Sequence, residues 1–238
     1  PVNAISVAVR AALICAMEEF NHSELNSAVL IGSGGLFLTG ADIREFDGPP
    51  QLPSLLDVVR SIASCNKPVV AALQGVVLGG GLELALACDV RIAHEHVSMG
   101  FPEVSLGIIP GAGGTQLLTR KIGVSRAVDM ICCEKRLTAE QAKSWNLVDE
   151  VVSSNLLQES IRFAGETKKK SKIENEKAPS EESDLHRQLL EKYKFSRASQ
   201  PAIDVALELI QKASELPLEE GLELEKVAFL KLKTSPEA

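Results

Sequence analysis

A chain of 238 residues with 45% hydrophobic and 24% charged side chains has the make-up of a globular protein of one large or two small domains, which excludes disorder throughout. Its net charge of −7, with no basic face and no interleaving of aromatic and basic residues, argues against a nucleic-acid partner. The cysteines, Cys15, Cys65, Cys88, Cys132 and Cys133, show no CxxC spacing for zinc or a redox pair and fit a reducing compartment; no apolar run approaches the roughly 20 residues of a membrane span, and PVNAIS, with no initiator methionine, reads as the start of a piece of something longer and not as a signal peptide.

In chain order, Ser6 caps a helix whose Val9, Leu13, Ala16, Met17 and Phe20 share one face. A strand follows at Ala28–Ile31, then a glycine-rich turn over 32–35. Leu55, Leu56, Val59, Ile62 and Ala63 form a second amphipathic helix, closed by Asn66-Lys67-Pro68 before the buried strand Val69–Leu73. Short strands are expected over 89–93 and 97–100 and a helix over 113–122. Thr138 and Gln141 match a capping box for a helix ending near Trp145, ahead of a strand over 147–152. Strands interleaved with helices define an α/β class.

From 167 to 184 the sequence carries almost nothing able to enter a core and reads as a solvated polar linker. Three helices are expected beyond it. Leu185, Leu189 and Leu190 start the first; Pro201 sits in the first turn of the second, with Ile203, Leu207 and Ile210 on one side; Pro217 opens the third, with Leu222, Val227 and Leu230 available for burial. The expected organisation is a core over 1–166, a linker over 167–184 and a helical C-terminal cover over 185–238.

The stretch GVVLGGGLELALACD, from Gly75 to Asp89, sets three glycines directly before Glu83 and a run of helix formers. If the strand Val69–Leu73 delivers the chain to Gly79, Gly80 and Gly81 and a helix begins there, the first-turn N–H groups can meet a ligand with no Cβ intervening. The helix dipole adds to the attraction for developing negative charge. Close packing of a helix on a sheet would explain the triplet as well, and Glu83 alone would complement the dipole. The GK[ST] ending of a phosphate loop, a complete GxGxxG and a GxSxG elbow are all missing.

Two further blocks sharpen the reading: FLTGADI over 37–43, and FPEVSLGIIPGAGGTQ over 101–116, which supplies a second carboxylate, Glu103, before another glycine-rich turn. In this order the three blocks resemble the crotonase superfamily, the enoyl-CoA hydratases and isomerases. The resemblance covers roughly residues 1–152 and implies a ββα spiral, the crotonase-like superhelix. GLELALACD, VRIAH and FPEVSLGIIPGAGGTQLLTR together are most similar to the N-terminal hydratase/isomerase part of multifunctional β-oxidation enzymes.

By that resemblance the backbone N–H groups of Ala41 and Gly80 form an oxyanion hole for a thioester carbonyl, and Glu83 and Glu103 are the acid/base pair. Glu83 activates water for attack at C3 and Glu103 handles the proton at C2. Asp42, Ile43 and Gly79 line the substrate, Asp42 and Ile43 toward the adenine end of coenzyme A. Arg44 either meets phosphates or is a solvated charge. The implied activity is hydration of trans-2-enoyl-CoA to 3-hydroxyacyl-CoA in fatty-acid β-oxidation, with 3,2-enoyl isomerisation as a second activity. An isomerase alone, or a non-catalytic acyl-CoA binder, is the alternative. No metal or redox cofactor is implied: coenzyme A is part of the substrate, and nothing after Glu181 offers a strand with a GxGxxG turn for NAD.

The resemblance further implies a peroxisomal location and a 3-hydroxyacyl-CoA dehydrogenase part joined to this one, although KTSPEA is not an SKL-type address. The family's first strand is expected to be missing, which leaves Ala28–Ile31 short of a neighbour. His94 and His96 read as exposed residues, not metal ligands, Cys132 and Cys133 as core packing on a helix, and Trp145 as a core residue at a helix end.

Overall fold

The Ser6 side chain accepts from the Val9 N–H, so helix α1 (Val7–His22) begins at the cap that the sequence marks. The computed structural model describes residues 3–45, 48–167 and 200–235. Strand β1 (Ala28–Ile31) precedes helix α2 (Leu55–Ala63), whose N-terminus is closed by a capping box between Ser54 and Asp57. Strand β2 (Val69–Leu73) is buried at every position, as a strand covered on both faces should be. The chain then runs through β3 (Val76–Leu78), α3 (Gly80–Ala87), β4 (Val90–His94), β5 (Ser98–Gly100) and α4 (Gly114–Ile122). The order strand, short strand, helix thus occurs twice in succession.

Helix α5 (Val124–Ile131), strand β6 (Leu137–Thr138), helix α6 (Ala139–Ser144), strand β7 (Glu150–Val152) and helix α7 (Leu156–Glu166) follow. After the undescribed residues come α8 (Gln200–Lys212) and α9 (Leu218–Lys233). Four parallel strands form one sheet in the order β1-β2-β4-β7, and β3-β5-β6 form a second. The register pairs Ala28 with Val69, Val70 with Val90 and Ile92 with Glu150. Among the described residues β1 pairs only with β2.

Contacts divide the chain into two compact units, Pro1–Met99 with Leu137–Lys172 and Gly100–Arg136 with Ile173–Ala238. In the first, Val70, Ala72 and Ile92 of the four-stranded sheet pack with Leu156 and Ala164 of α7. In the second, α4 and α5 pack on α8 and α4 also packs on α9, with Ile203, Leu207, Ile210 and Leu222 fully or nearly fully buried. None of the described helices is long and apolar enough to cross a membrane.

Three readings of the sequence need correction. Val227 and Leu230 do not enter the core of α9; they are 64% and 39% exposed, because Leu218, Leu222, Glu225 and Leu232 define the buried face. The expected strand over 147–152 shortens to β7. Asn146 adopts φ 60°, and the Leu147 N–H turns back to the Ala142 carbonyl, so Leu147 and Val148 are buried in a turn. Trp145 caps α6 and is only half-buried. The linker apart from Thr167, and the helix led by Leu185, Leu189 and Leu190, lie outside the described residues.

Candidate active site

The three glycines of the triplet are required for three different reasons. Gly79 carries φ 48° and ψ −124°, a backbone conformation that L side chains rarely adopt. A Cβ on Gly81 would lie 1.9 Å from the Leu38 carbonyl oxygen, so the start of α3 touches the 37–43 segment main chain to main chain. A Cβ on Gly80 would lie 2.6 Å from Leu55 Cδ2 and 3.7 Å from the Ala41 nitrogen. The amide-bearing segments of Ala41 and Gly80 are therefore neighbours.

The amides at the start of α3 divide into two kinds. Those of Leu82 and Glu83 both turn back to the Gly79 carbonyl. Gly80 is the first helical residue, whose N–H has no intrahelical acceptor, and its glycine N-cap offers no side chain to satisfy it. Ala41 forms a parallel bridge with Ile5, and it is the carbonyl of Gly40 that accepts from the Ile5 N–H. Ala41 itself is exposed.

The Ala41 loop is fastened to the beginning of α1. Glu45 accepts from the Val7 N–H at 2.8 Å and pairs with Arg10 at 2.8 Å, while Arg10 also donates to the carbonyls of Ile5 and Pro53. Neither Arg10 nor Glu45 was marked by the sequence, since their contacts join segments about 35 residues apart and leave no local pattern. Asp42 is nearly buried and held by Arg44, with Nη2 2.6 Å from Oδ2 and Nε 2.9 Å from Oδ1. Hydrogen bonding from Arg44 draws the Asp42 carboxyl down to about 2. Ile43 follows in a 3-10 turn, Ile43–Glu45.

Glu83 lies in the first turn of α3 and is 2% exposed. The far end of that helix is held by Arg91, 3% exposed, which donates to the carbonyls of Ala85, Cys88 and Leu147 and pairs with Asp149. A cation there complements the negative end of the dipole. Asp89 fixes the adjoining strand, its Oδ2 accepting from the Val69 N–H at 2.8 Å. The Cys88-Asp89 part of the motif thus serves the scaffold.

In the second unit Glu103 opens a 3-10 turn, Glu103–Leu106, closed by Gly107 at φ 72°. The Glu103 carbonyl accepts from the Ile108 N–H, and its carboxylate oxygen Oε2 is shielded from solvent. The glycine-rich turn that follows differs from the one before α3. Its helix, α4, receives the carboxylate of Glu225 from α9: Gly113 N–H donates to Oε1, and Thr115 donates to Oε2 through its N–H at 2.7 Å and its hydroxyl at 2.5 Å. Of the two turns, this one is already filled by an acceptor of the protein's own.

Other residues marked in the sequence lie apart from this chemistry. Cys132 is buried at the end of α5, and burial pushes its thiol well above the ordinary range, the wrong direction for a nucleophile. His96 is exposed beside Glu95, and among the described residues no three His, Cys, Asp or Glu side chains are placed to hold a metal.

A family model described as Enoyl-CoA hydratase/isomerase matches residues 1–200. The chain belongs to the enoyl-CoA hydratase/isomerase family and has the crotonase fold. A peroxisomal bifunctional enzyme from Danio rerio is 46% identical over 69% of this chain and 23% of its own length. The human protein of the same name is 38% identical over 100% of this chain and 34% of its own. The chain therefore spans only 23% to 34% of the length of these curated relatives. The crystal structure of an enoyl-CoA hydratase from Bacillus anthracis superposes with a TM-score of 0.64 at 31% identity, covering 98% of this chain and 84% of that one.

Proposed function

We propose that this chain adds water to a trans-2-enoyl-CoA thioester to give 3-hydroxyacyl-CoA, the hydration step of fatty-acid β-oxidation. The observation that carries the proposal is the approach of the Ala41 nitrogen to within 3.7 Å of the Cβ position of Gly80, two amide-bearing segments from separate loops. Addition at C3 puts enolate character on the thioester oxygen. Two fixed main-chain donors lower that barrier without a charged group in the hole. Glu83 orients and deprotonates the attacking water, and Glu103 delivers the proton to C2. Asp42, Ile43 and Gly79 contact the substrate around the thioester and the coenzyme A moiety. The reaction draws only on amides and carboxylates, so coenzyme A enters as substrate and no other cofactor is required.

Isomerisation of 3-enoyl-CoA is the second activity of the proposal, favoured by the family description and by a carboxylate at position 103 that can shuttle a proton between C2 and C4. The names of the relatives support a peroxisomal location, and the share of their length that this chain spans supports fusion to a 3-hydroxyacyl-CoA dehydrogenase part. The test is the loss of enoyl absorbance from crotonyl-CoA. Glu83→Gln and Glu103→Gln are each expected to lower kcat by about 10²- to 10⁴-fold. Dependence of 3-enoyl isomerisation on Glu103 with no hydration by wild type would leave only an isomerase, and coenzyme A binding without turnover would sink both activities.

A further inference from the structure

The N-cap of α4 is Gly113 at φ 113°, which has no side chain and a backbone that serine or aspartate would adopt only under strain. The missing acceptor comes instead from Glu225, 112 positions away and 0% exposed. A buried carboxylate gives up its hydration and is tolerated only when charge-assisted donors surround it. Here the donors are the main chain of Gly113 and Thr115, the Thr115 hydroxyl and the positive end of α4.

The hydroxyl is itself oriented. Gln116 donates through Nε2 to Thr115 Oγ1 and to the Leu209 carbonyl, which leaves the Thr115 proton for Glu225. Gly221, one turn before Glu225, is closed against Gln116, where a Cβ would lie 2.1 Å from Oε1. One turn after Glu225, Phe229 packs under Gly111, where a Cβ would meet the ring at 2.5 Å. One face of α9 thus grips the glycine turn at Gly111, at Gly113 and through Gln116. The same segment begins at Glu103 and passes through the buried Ile108 and Ile109.

We propose that Glu225 is a positioning residue for Glu103: its carboxylate, docked on the main chain of Gly113 and Thr115, holds the segment 103–113 in the conformation that proton transfer at C2 requires. The inference rests on the role given to Glu103 above. A small displacement of a proton donor lowers turnover while leaving remote substrate contacts intact.

The experiment combines kinetics with amide hydrogen exchange on the full chain. Glu225→Gln presents an amide NH₂ to donors that need an acceptor. It is expected to lower kcat about 10- to 100-fold with KM changed less than about threefold, and to speed exchange across 103–109 at a temperature where the variant stays folded. Formate added to Glu225→Ala is expected to restore part of both. Thr115→Val, which removes only the hydroxyl donor, gives a smaller fall in the same direction and serves if the Glu225 variants do not fold. Unchanged exchange over 103–109 in a folded variant overturns the proposal, as does a kcat loss that merely follows the unfolded fraction. Faster exchange in a chain whose wild type neither hydrates crotonyl-CoA nor isomerises a 3-enoyl-CoA would sink the catalytic assignment of Glu103 and leave the anchoring itself standing.

Discussion

At the scale of single residues, the glycine triplet separates catalysis from folding. A methyl on Gly80 meets only the flexible end of Leu55 at close range but enters the space beside the Ala41 nitrogen. On the role proposed for Ala41 and Gly80, Gly80→Ala is therefore expected to fold and, its methyl screening the Ala41 N–H from the acyl oxygen, to lose about 10²-fold in kcat, the scale of one oxyanion donor removed; crotonyl-CoA turnover with an unchanged melting temperature is the readout. Gly81→Ala drives its methyl into the Leu38 carbonyl, which cannot move alone, and costs about 1–3 kcal/mol or more of stability in a denaturant melt. Asp42 gives a pH prediction. Its folded carboxyl titrates near 2, below the ordinary 3.8, so the stabilisation from its pairing with Arg44 is fully present above about pH 4 and is lost as pH falls toward 2. Melts of wild type and Arg44→Ala should run parallel from pH 5 upward, and the gap between them should close below pH 4.

At the scale of elements, local signals and long-range ones fared differently. Ser6, Thr138 and Gln141 announced their helix starts because a cap and its helix are adjacent in sequence, and each forms the expected bond. The strands β1 and β2 were legible from short apolar runs. Helix α9 was legible as a helix, with Pro217 as its cap, but its buried face was misread. Hydrophobic period pointed to Leu222, Val227 and Leu230; Leu222 is buried, but beside it the face carries Gly221, Glu225 and Phe229, closing on Gln116, Gly113 and Gly111, and not Val227 or Leu230. A buried glutamate that caps another helix carries no apolar signature. Leu222→Ala should cost about 2–5 kcal/mol, while Val227→Ala should fall within about 0.5 kcal/mol of wild type, as measured by chemical denaturation. Equal losses would show that the exposed stripe is packed after all.

At the scale of the whole molecule, the α/β class followed from the sequence, because a parallel sheet needs a connection between its strands and the apolar runs recur at that spacing, whereas β3, α5, β6 and α7 were not read from it. The first half of the candidate site was also legible, as glycines and a carboxylate lie within one short stretch, and Ala41 was reached through resemblance. What supports those residues was hidden. The Arg10 and Glu45 fastening of the Ala41 loop, the Arg91 clamp on α3 and the Glu225 clamp on α4 all join residues far apart in the chain. The contact division was hidden for the same reason, since it groups Gly100–Arg136 with residues that follow it by 37 positions or more, and not with its sequence neighbours.

The closeness of Gly81 to Leu38 has one more consequence. Because the Cβ position of Gly81 lies against the carbonyl group of Leu38, the gauge between the two strips of chain is set there by main-chain radii and not by the reach of a long side chain. If Ala41 and Gly80 hold a thioester carbonyl as proposed, drift in the neighbouring side chains can reshape what the tail of a substrate meets while the grip on its carbonyl stays the same, so new acyl preferences are reachable without rebuilding the chemistry.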